Sequence, residues 1–449
     1  MKRGNRTLNH WLANARWSTA ALGSLLLLVG AAGAWDGDLD PTFAGDGKAH
    51  CGFGTGGADS AVAVAIQTDG KILLAGSHYN GSDYDFAVVR MLESGYLDLS
   101  FGQSTRAIFD FDSNSDTARD MVIQPDGKIV VVGTARVGGV RVIGVVRFHA
   151  DGSLDDSAIV PFSGTTYGYG VALQPDGKIV VCGRTYYVSS GYDFAVARLN
   201  SNLTMDTSFG TNGMVDWDFG DQEDDSAFKV AVRADGKIVV AGTAHDNGQD
   251  VFGLMVFSAT GGPQGLGMAR FPEDASGFGL DLQKDGKAVV SGTCATHGGD
   301  FAVARFNTNS LLDTTFGTGG MATFSHGNPF EESAMDAVVQ HNGKVLTTGY
   351  LEEGGIRYLA MVRWNADGTL DWGFDGTTAF YNYTNFFAGY YSRGQAIFQQ
   401  PDGKILAAGL TGRDTGQFVA VARFMGDEDL IFVDDFESGT LNWWPSSPP

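Results

Sequence analysis

A ten-residue stretch that recurs seven times constrains the fold of this chain more than any other feature. It reads QPDGKIVVVG at Gln124 and QPDGKIVVCG at Gln174. The other copies begin at Gln67, Arg233, Gln283, Gln340 and Gln400. Successive copies lie 50 to 60 residues apart, a spacing that suits units of four β-strands and their connections. The recurrence therefore predicts a repeat protein of seven similar units.

Each copy predicts a β-hairpin. In Pro-Asp-Gly-Lys, proline fixes φ at the first corner, aspartate tolerates the second, and glycine takes the left-handed conformation. A β-rich run such as ARDMVIQ leads into the turn, and one such as KIVVVG leads out. We interpret the motif as structural rather than catalytic, because its residues fix the register of a hairpin in each of the seven copies.

Two more strands complete each unit. A third strand ends in arginine, as in DFAVAR at Asp193–Arg198. A loop such as LDTTFGTGG, Leu312–Gly320, then leads to a short fourth strand. The first strand of the fourth type, Lys48–Phe53, precedes the first hairpin, and the last unit, which ends at Arg423, has none after it. The extra strand of the fourth type near the N-terminus therefore matches the strand that is missing after the last unit.

This arithmetic predicts a closed ring. We expect an all-β chain folded as a single seven-bladed β-propeller of four-stranded antiparallel blades, closed by the N-terminal strand Lys48–Phe53. Closure leaves no large sheet edge exposed. The rival architecture, an open solenoid, would need atypical capping repeats, and the sequence shows none.

The Asp-Gly-Lys hairpin, the DFAVAR strand and the LDxTFGxxG loop together resemble the delta-60 repeat family of bacterial β-propellers. The resemblance covers Asp36 to about Phe424. It implies an exported bacterial protein, and it implies no particular reaction. The unit at Arg233–Met268 departs from the pattern, because Val256 stands where arginine is expected and SATGGPQG replaces the LDxTF loop.

The termini predict three segments. Residues 1–34 read as a signal peptide, with four cations, a short apolar run and small residues at Ala32 and Ala34. Residues 35–424 form the propeller, and residues 425–449 form a C-terminal tail. An uncleaved membrane anchor is the alternative for the first segment. We expect cleavage after Ala34, no membrane span thereafter, and a secreted, periplasmic or cell-surface location in a bacterium.

The charge of the chain limits its partners. It carries 30 Lys and Arg against 52 Asp and Glu, a net charge of −22. Such a surface repels the phosphates of nucleic acids. We therefore expect no nucleic-acid partner, and we expect a monomer with an extracellular glycan or protein as ligand.

Arginine and aspartate vary together between the copies, which predicts ion pairs. Both are lost in the unit that carries Val256. Elsewhere they occur together, as Arg90 with Asp98, Arg147 with Asp155, Arg198 with Asp206, Arg305 with Asp313, Arg363 with Asp371, and Arg423 with Asp40. A buried pair that holds the loop would explain the joint loss, since a single remaining partner would be costly. A ring of ligand-binding arginines is the alternative.

The strand order places the repeated turns on one face of the ring and the variable loops on the other, where binding usually occurs. We call these the motif face and the variable face. One variable loop is acidic, with Asp110, Asp112, Asn114 and Asp116 as candidate Ca²⁺ ligands; a second acidic run spans Asp216–Asp225. The alternative is a solvated acidic rim without metal.

A second variable loop is aromatic and offers candidate ligand-binding residues, namely Tyr381, Tyr383, Phe386, Phe387, Tyr390 and Tyr391. These rings could stack on sugars or anchor a protein. The alternative is that half of them alternate into the sheet core.

Catalytic motifs are absent from the sequence: there is no G-x-S-x-G, H-E-x-x-H, C-x-x-C or phosphate-binding loop. We therefore expect no cofactor except Ca²⁺ and a non-catalytic binding or scaffold protein. The alternative is a propeller enzyme, such as a polysaccharide lyase or hydrolase, with a site at the central mouth. Clustered His, Arg, Tyr or carboxylates at that mouth would favour the enzyme, and a plain acidic mouth would favour binding.

Overall fold

The computed structural model describes residues 36–53, 59–220, 222–295, 299–327, 331–374, 381–384, 391–413, 416–426, 430–435 and 440–445. Every regular element in these ranges is a β-strand. All of them belong to a compact unit that spans Trp35–Pro449. The predicted signal peptide lies outside the described residues and stays a prediction.

Seven four-stranded antiparallel sheets form the seven blades, as predicted. Blade 1 contains β2 (Ser60–Ile66), β3 (Ile72–Tyr79), β4 (Tyr84–Met91) and β5 (Arg106–Phe109). Blade 2 contains β6 (Thr117–Ile123), β7 (Ile129–Val137), β8 (Val140–Phe148) and β9 (Leu154–Val160). Blade 3 contains β10 (Thr166–Leu173), β11 (Ile179–Tyr187), β12 (Gly191–Leu199) and β13 (Met214–Trp217). Blade 4 contains β14 (Ser226–Val232), β15 (Ile238–Asp246), β16 (Gln249–Phe257) and β17 (Pro263–Ala269).

The remaining blades follow the same order. Blade 5 contains β18 (Ala275–Leu282), β19 (Ala288–Cys294), β20 (Asp300–Phe306) and β21 (Met321–Phe324). Blade 6 contains β22 (Glu332–Val339), β23 (Val345–Glu353), β24 (Ile356–Trp364) and β25 (Tyr381–Thr384). Blade 7 contains β26 (Tyr391–Gln399), β27 (Ile405–Arg413), β28 (Gly416–Phe424) and, from the N-terminus, β1 (Lys48–Cys51). In the tail, β29 (Leu430–Asp435) pairs with β30 (Thr440–Pro445).

The ring closes at the predicted strand. In the antiparallel pairing of β1 with β28, Lys48 lies opposite Ala422 and Cys51 lies opposite Val419. The backbone N–H of Asp40 also donates to the carbonyl of Arg423 at 2.8 Å. These pairings satisfy backbone groups that would otherwise form an exposed edge.

The Asp-Gly-Lys hairpins have the expected turn. In blade 2, Gly127 has φ +84°, and its N–H donates to the carbonyl of Gln124 at 2.8 Å. The Asp126 carboxylate accepts from the N–H of Lys128 at 3.2 Å. Glycine takes the left-handed conformation without steric cost, so the repeated letters are explained by the turn.

The hydrophobic core is divided among the contacts between adjacent blades. Between blades 7 and 1, Leu406 and Val421 belong to the same buried cluster as Ile72 and Val89. Comparable clusters lie between the other neighbouring blades. The first and last blades are therefore joined by apolar packing as well as by strand pairing.

A β-bulge interrupts the innermost strand of every blade. In blade 1 the pairing shifts between Ala61 and Ala63, so Val62 has no partner in β3. The equivalent shift occurs in the other six blades. A bulge releases one residue from the alternation of the strand and re-aims its side chain.

The glycine that ends each ten-residue motif lies opposite this bulge. A Cβ atom on Gly76 would lie 1.9 Å from the carbonyl oxygen of Ser60. The corresponding distance is between 1.8 and 2.1 Å in all seven copies. No side chain fits at that separation, so the last letter of the motif is fixed by the approach of the innermost strand.

Among the described residues, no helix is long and apolar enough to cross a membrane.

Candidate functional site

The structure brings all six predicted arginine–aspartate pairs into contact. In blade 3, Arg198 Nε donates to Asp206 Oδ2 at 2.7 Å, and both residues are buried. Four equivalent distances are 2.9 Å for Arg90–Asp98, 2.8 Å for Arg305–Asp313, 2.6 Å for Arg363–Asp371 and 2.8 Å for Arg423–Asp40. Arg147 makes the same contact with Asp155.

Most of these arginines also fasten one blade to the next. Arg90 Nη1 donates to the carbonyl of Ala150 in blade 2 at 2.7 Å. Arg423 Nη1, at the end of the ring, donates to the carbonyl of Glu93 in blade 1 at 2.7 Å. All six side chains are buried, and four of them bond protein atoms through Nε and both Nη atoms, namely Arg90, Arg198, Arg305 and Arg423. These contacts favour a structural role over a ligand-binding one.

The lysine of each Asp-Gly-Lys turn adds a second cation to most pairs. Lys178 Nζ lies 3.0 Å from Asp206 Oδ2. Burial alone would raise the pKa of Asp206, but hydrogen bonds from Ser208 and Lys178 and the charge of Arg198 hold it well below its usual range. Lysines at the same turn position make this contact in five other blades.

Blade 4 replaces the lost arginine with one that directly follows its innermost strand, β14. Val256 occupies the usual arginine position, and Arg233 occupies the position that is glutamine in the other six copies. Arg233 Nη1 donates to the carbonyl of Thr308 in blade 5 at 2.9 Å. Its Nε and Nη2 atoms are buried without partners, and burial lowers the pKa of its guanidinium. The contact between blades is therefore kept while the aspartate is lost.

The acidic loop uses its predicted calcium ligands as acceptors for the protein's own backbone. Asp110 Oδ1 accepts from the N–H of Asp112 at 3.1 Å, and Asp112 Oδ2 accepts from the N–H of Gly138 at 2.8 Å. Asn114 donates to the carbonyl of Asp112. No group of three His, Cys, Asp or Glu suited to a metal occurs in the described part of the chain. A Ca²⁺ site in this loop stays a prediction.

Asp116 is not part of a solvated rim. It is fully buried, and its two oxygens accept from the backbone N–H groups of Phe111 at 2.9 Å and Arg136 at 2.8 Å. Burial raises its pKa to about 6. Asp225 occupies the same place in blade 4, where burial raises its pKa to about 7. These carboxylates join the end of one blade to the start of the next.

Most of the aromatic loop lies outside the described residues. Phe386, Phe387 and Tyr390 are not described, and Tyr381 and Tyr383 are described only as backbone of β25. Tyr391 begins β26, where its hydroxyl accepts a hydrogen bond from Gln417 Nε2 at 2.8 Å. Ligand binding by this loop stays a prediction.

The residues released by the seven bulges line the central channel near its opening on the variable face. They are Val62, Arg119, Tyr169, Phe228, Phe278, Met335 and Gln395. With Lys229 they enclose a cavity of about 270 Å³. We call this ring of bulge residues the channel mouth. Sequence analysis did not find it.

Aromatic rings cover one side of the channel mouth in an unbroken series. Tyr169 contacts Phe228 with ring centroids 4.8 Å apart, and Phe228 contacts Phe278 at 5.3 Å. Tyr167, two residues before Tyr169, is stacked on it at 6.4 Å. The three bulge residues are only half-buried, so the rings present apolar area to the cavity.

Two guanidinium groups contact these rings, and a third contacts another residue of the channel mouth. Arg119 lies over Tyr169, with 5.9 Å from Cζ to the ring centroid, and it is exposed within the channel. Arg184 lies over Tyr167 at 4.6 Å. Arg393 contacts the amide oxygen of Gln395 at 2.8 Å. Among the described residues, none of these arginines has a carboxylate partner.

A buried charge cluster lies directly beside the mouth. Lys229 Nζ lies 3.4 Å from Asp120 Oδ1. Asp120 Oδ2 accepts from the N–H of Val171 at 3.1 Å, and Asp336 Oδ2 accepts from the N–H of Ile397 at 3.1 Å. Burial alone would lower the pKa of Lys229, but the charges of Asp120 and Asp336 raise it. The lysine is thus a charged partner of two aspartates.

A second opening adjoins the mouth between blades 6 and 7. It is a cleft of about 420 Å³ whose lining includes Arg357, Tyr391 and Arg393. Arg357 is paired, since its Nε donates to Glu352 Oε2 at 3.1 Å. Arg393 lines this cleft and bonds Gln395 of the mouth, so the two openings are adjacent.

Comparison with solved structures finds other propellers at low identity. A polysaccharide lyase of family PL25, an ulvan lyase bound to a saccharide, is 14% identical, with TM-score 0.47 over 84% of this chain and 96% of that one. Sqt1 from Chaetomium thermophilum is 12% identical, with TM-score 0.44 over 83% and 97%. The Pan2 WD40 domain from Neurospora crassa is 9% identical, with TM-score 0.46 over 82% and 89%. At these values the neighbours say nothing about what this chain binds. No curated protein matches the chain.

A family model matches the chain at each of the seven units, over residues 67–101, 124–157, 174–209, 233–255, 283–316, 340–374 and 400–427. Its fourth match stops immediately before Val256, where the pattern departs. The narrower delta-60 name stays a resemblance. Together the matches cover half of the chain, which therefore belongs to the family described as a domain of unknown function (DUF5122) beta-propeller.

Proposed function

We propose that this protein is an exported binding protein whose ligand is a glycan and whose binding site is the channel mouth. The observation that carries the proposal is the series of rings formed by Tyr169, Phe228 and Phe278, which face a cavity instead of the core. Export rests on the predicted signal peptide of residues 1–34.

The chemistry of the rings favours a sugar. Pyranose rings present C–H faces that pack on aromatic faces, while their hydroxyls need polar partners at the edge of the site. The mouth offers both, because Gln395 and Arg119 lie in the same ring of side chains as the aromatics. A cavity of about 270 Å³ is small, so it suits one end or one branch of a glycan and not a threaded chain.

An enzyme acting at the same site is the second candidate. The mouth carries clustered Arg and Tyr, the arrangement that favours it. However, burial raises the pKa of Tyr169, although Arg184 and Arg119 act in the opposite direction. A tyrosine with a raised pKa is a poor general base. No His, Asp or Glu is among the residues that line the described cavity. Binding is therefore the better supported of the two.

The test is glycan binding by the mature chain, residues 35–449, first on a glycan array and then by calorimetry with each positive glycan. Tyr169→Ala should weaken binding by about tenfold, since aromatic contacts contribute about 0.5–1.5 kcal/mol beyond buried area. Tyr96→Ala is the matched control, because Tyr96 is exposed on the motif face, far from the channel.

Equal loss from the two variants, or the absence of any bound glycan, would refute the proposal. Incubation of the bound glycans with the protein, followed by mass spectrometry, separates the two candidates. Shortened products would establish the enzyme in place of the binding protein.

A further inference from the structure

One arginine of the channel mouth, Arg119, and two close to it, Arg184 and Arg393, differ from the ion-paired arginines of the molecule. The chain has 52 acidic residues and 30 Lys and Arg, so acidic partners are plentiful. The strand-end arginines and Arg357 each have one. Arg119, Arg184 and Arg393 have none among the described residues, although the surrounding channel wall partly desolvates Arg119 and Arg393 and lowers their pKa.

From this geometry we propose that the glycan is acidic, and that Arg119, Arg184 and Arg393 bind its carboxylate or sulfate groups. This inference rests on the proposed function and adds the chemical class of the ligand. A partly desolvated guanidinium without a counter-ion is unfavourable, and an anionic ligand supplies the missing charge. The Nε atom of Arg184 is itself buried without any partner.

The three arginines are the cationic groups near the channel mouth that remain available to bind an anion. Lys229 also lines the cavity, but Asp120 and Asp336 already neutralise it. Arg119 precedes Asp120 directly in β6 and has no such carboxylate partner among the described residues.

The net charge of the protein restricts how closely the anionic groups of the ligand can be spaced. A net charge of −22 repels densely charged polymers at long range. An acidic saccharide spaces its charges with neutral sugar atoms and brings one group at a time to the mouth. Its sugar faces can pack on the rings of Tyr169 and Phe228 while the anionic group meets Arg119.

The experiment compares acidic oligosaccharides with their neutral counterparts. The probes are oligomers of galacturonate, glucuronate and mannuronate, each beside its carboxyl-reduced form, and sulfated oligosaccharides beside their desulfated forms. Binding to the mature chain is measured by calorimetry at two salt concentrations. We expect the acidic member of a bound pair to bind at least tenfold more tightly, and the difference to shrink at high salt.

Two variants with the same charge change locate the effect. Arg119→Gln should reduce affinity for the acidic form by about tenfold, because a charge-assisted hydrogen bond contributes about 1.5–3 kcal/mol. It should reduce affinity for the neutral form much less, because the amide of glutamine can still bond a sugar hydroxyl. Arg136→Gln is the control, since Arg136 is exposed in the same blade and away from the cavity. Arg119 makes no described hydrogen bond that folding would need.

The outcomes separate this inference from the proposed function. Equal binding of the acidic and neutral forms, or equal effects of Arg119→Gln and Arg136→Gln, would overturn the acidic ligand and leave glycan binding standing. If neither member of any pair binds, glycan binding fails, and the inference fails with it.

Discussion

Removal of the Arg198 side chain, which bonds its own blade and also the carbonyl of Ala259 in blade 4, should destabilise the propeller by an amount that its contacts allow us to estimate. The side chain is buried, and it donates to Asp206 at 2.7 Å, to Gln174 Oε1 at 3.2 Å and to Ser208 Oγ at 3.2 Å. It also stacks on Phe209, with 4.8 Å to the ring centroid. Breaking a buried ion pair by removing one partner costs about 3–5 kcal/mol.

Lys178 reduces that cost, because its ammonium remains 3.0 Å from Asp206 after the guanidinium is gone. We therefore expect Arg198→Ala to lower the free energy of unfolding by about 3 kcal/mol, the lower end of that range. The assay is urea denaturation of the mature chain. Arg136→Ala, at an exposed position, should change the free energy by less than about 0.5 kcal/mol.

A double-mutant cycle with Asp206→Ala isolates the pair. Direct contact predicts a coupling energy of about 1–3 kcal/mol. The pKa of Asp206 is depressed, so its contribution is present at neutral pH and is lost as the pH falls below about 4. The deficit of Arg198→Ala should therefore narrow in acid. Additive effects within about 0.5 kcal/mol would refute a direct interaction between Arg198 and Asp206.

Four other predictions are open to direct measurement. A chain that begins at Gly56 lacks the closing strand and should melt at a markedly lower temperature than the mature chain; equal melting would mean that the ring does not depend on β1. Arg233→Gln should lower the melting temperature, because blade 4 then has no guanidinium for blade 5, and an unchanged value would show that this contact is dispensable. The raised pKa of Asp225, about 7, means that its stabilising contribution is lost as the pH rises through about 7; the melting temperature should be higher at about pH 5.5 than at pH 8, and Asp225→Asn should reduce that difference. N-terminal sequencing of the exported protein should show cleavage after Ala34, and an intact N-terminus in the membrane fraction would contradict it.

The number of blades and the closure of the ring could be predicted because both follow from a repeated sequence motif. Each turn has to place a glycine at positive φ, and Gly127 shows the reason. The closing strand was found by counting, since a fourth strand before the first hairpin matches the one missing after Arg423. The residue types that each turn requires, together with the closure of the ring, leave few alternative folds.

The sequence also contains the residue that replaces the lost arginine of blade 4, but sequence analysis did not recognise its role. The copy that loses arginine at Val256 is the one that has Arg233 in place of glutamine. Only the structure shows that these two positions reach the same boundary between blades. The two positions are 23 residues apart in the chain, and β15 lies between their strands in the sheet, so the pairing register is needed to relate them.

The channel mouth could not be predicted from strand periodicity. A bulge adds a residue and breaks the alternation by which a sequence assigns side chains to a face. One signal was available, namely the glycine that ends all seven motifs, which marks the close approach of the innermost strand. The alternating oxygens of the acidic loop predict a cation site, which stays a prediction; the strand pattern did not indicate that Asp110 and Asp112 accept hydrogen bonds from the backbone.

The bulge in each innermost strand separates the residue that lines the channel mouth from the residues that hold the blade together. Neighbouring positions such as Ala61 are fixed by packing and pairing, whereas the bulge residue next to them has no partner in the sheet. The seven bulge positions accordingly hold six different residue types. The residue at such a position can be substituted in one blade at a time with little effect on folding. A propeller of this family would then change its ligand by point substitution, in the way that antibodies vary loops on a constant framework.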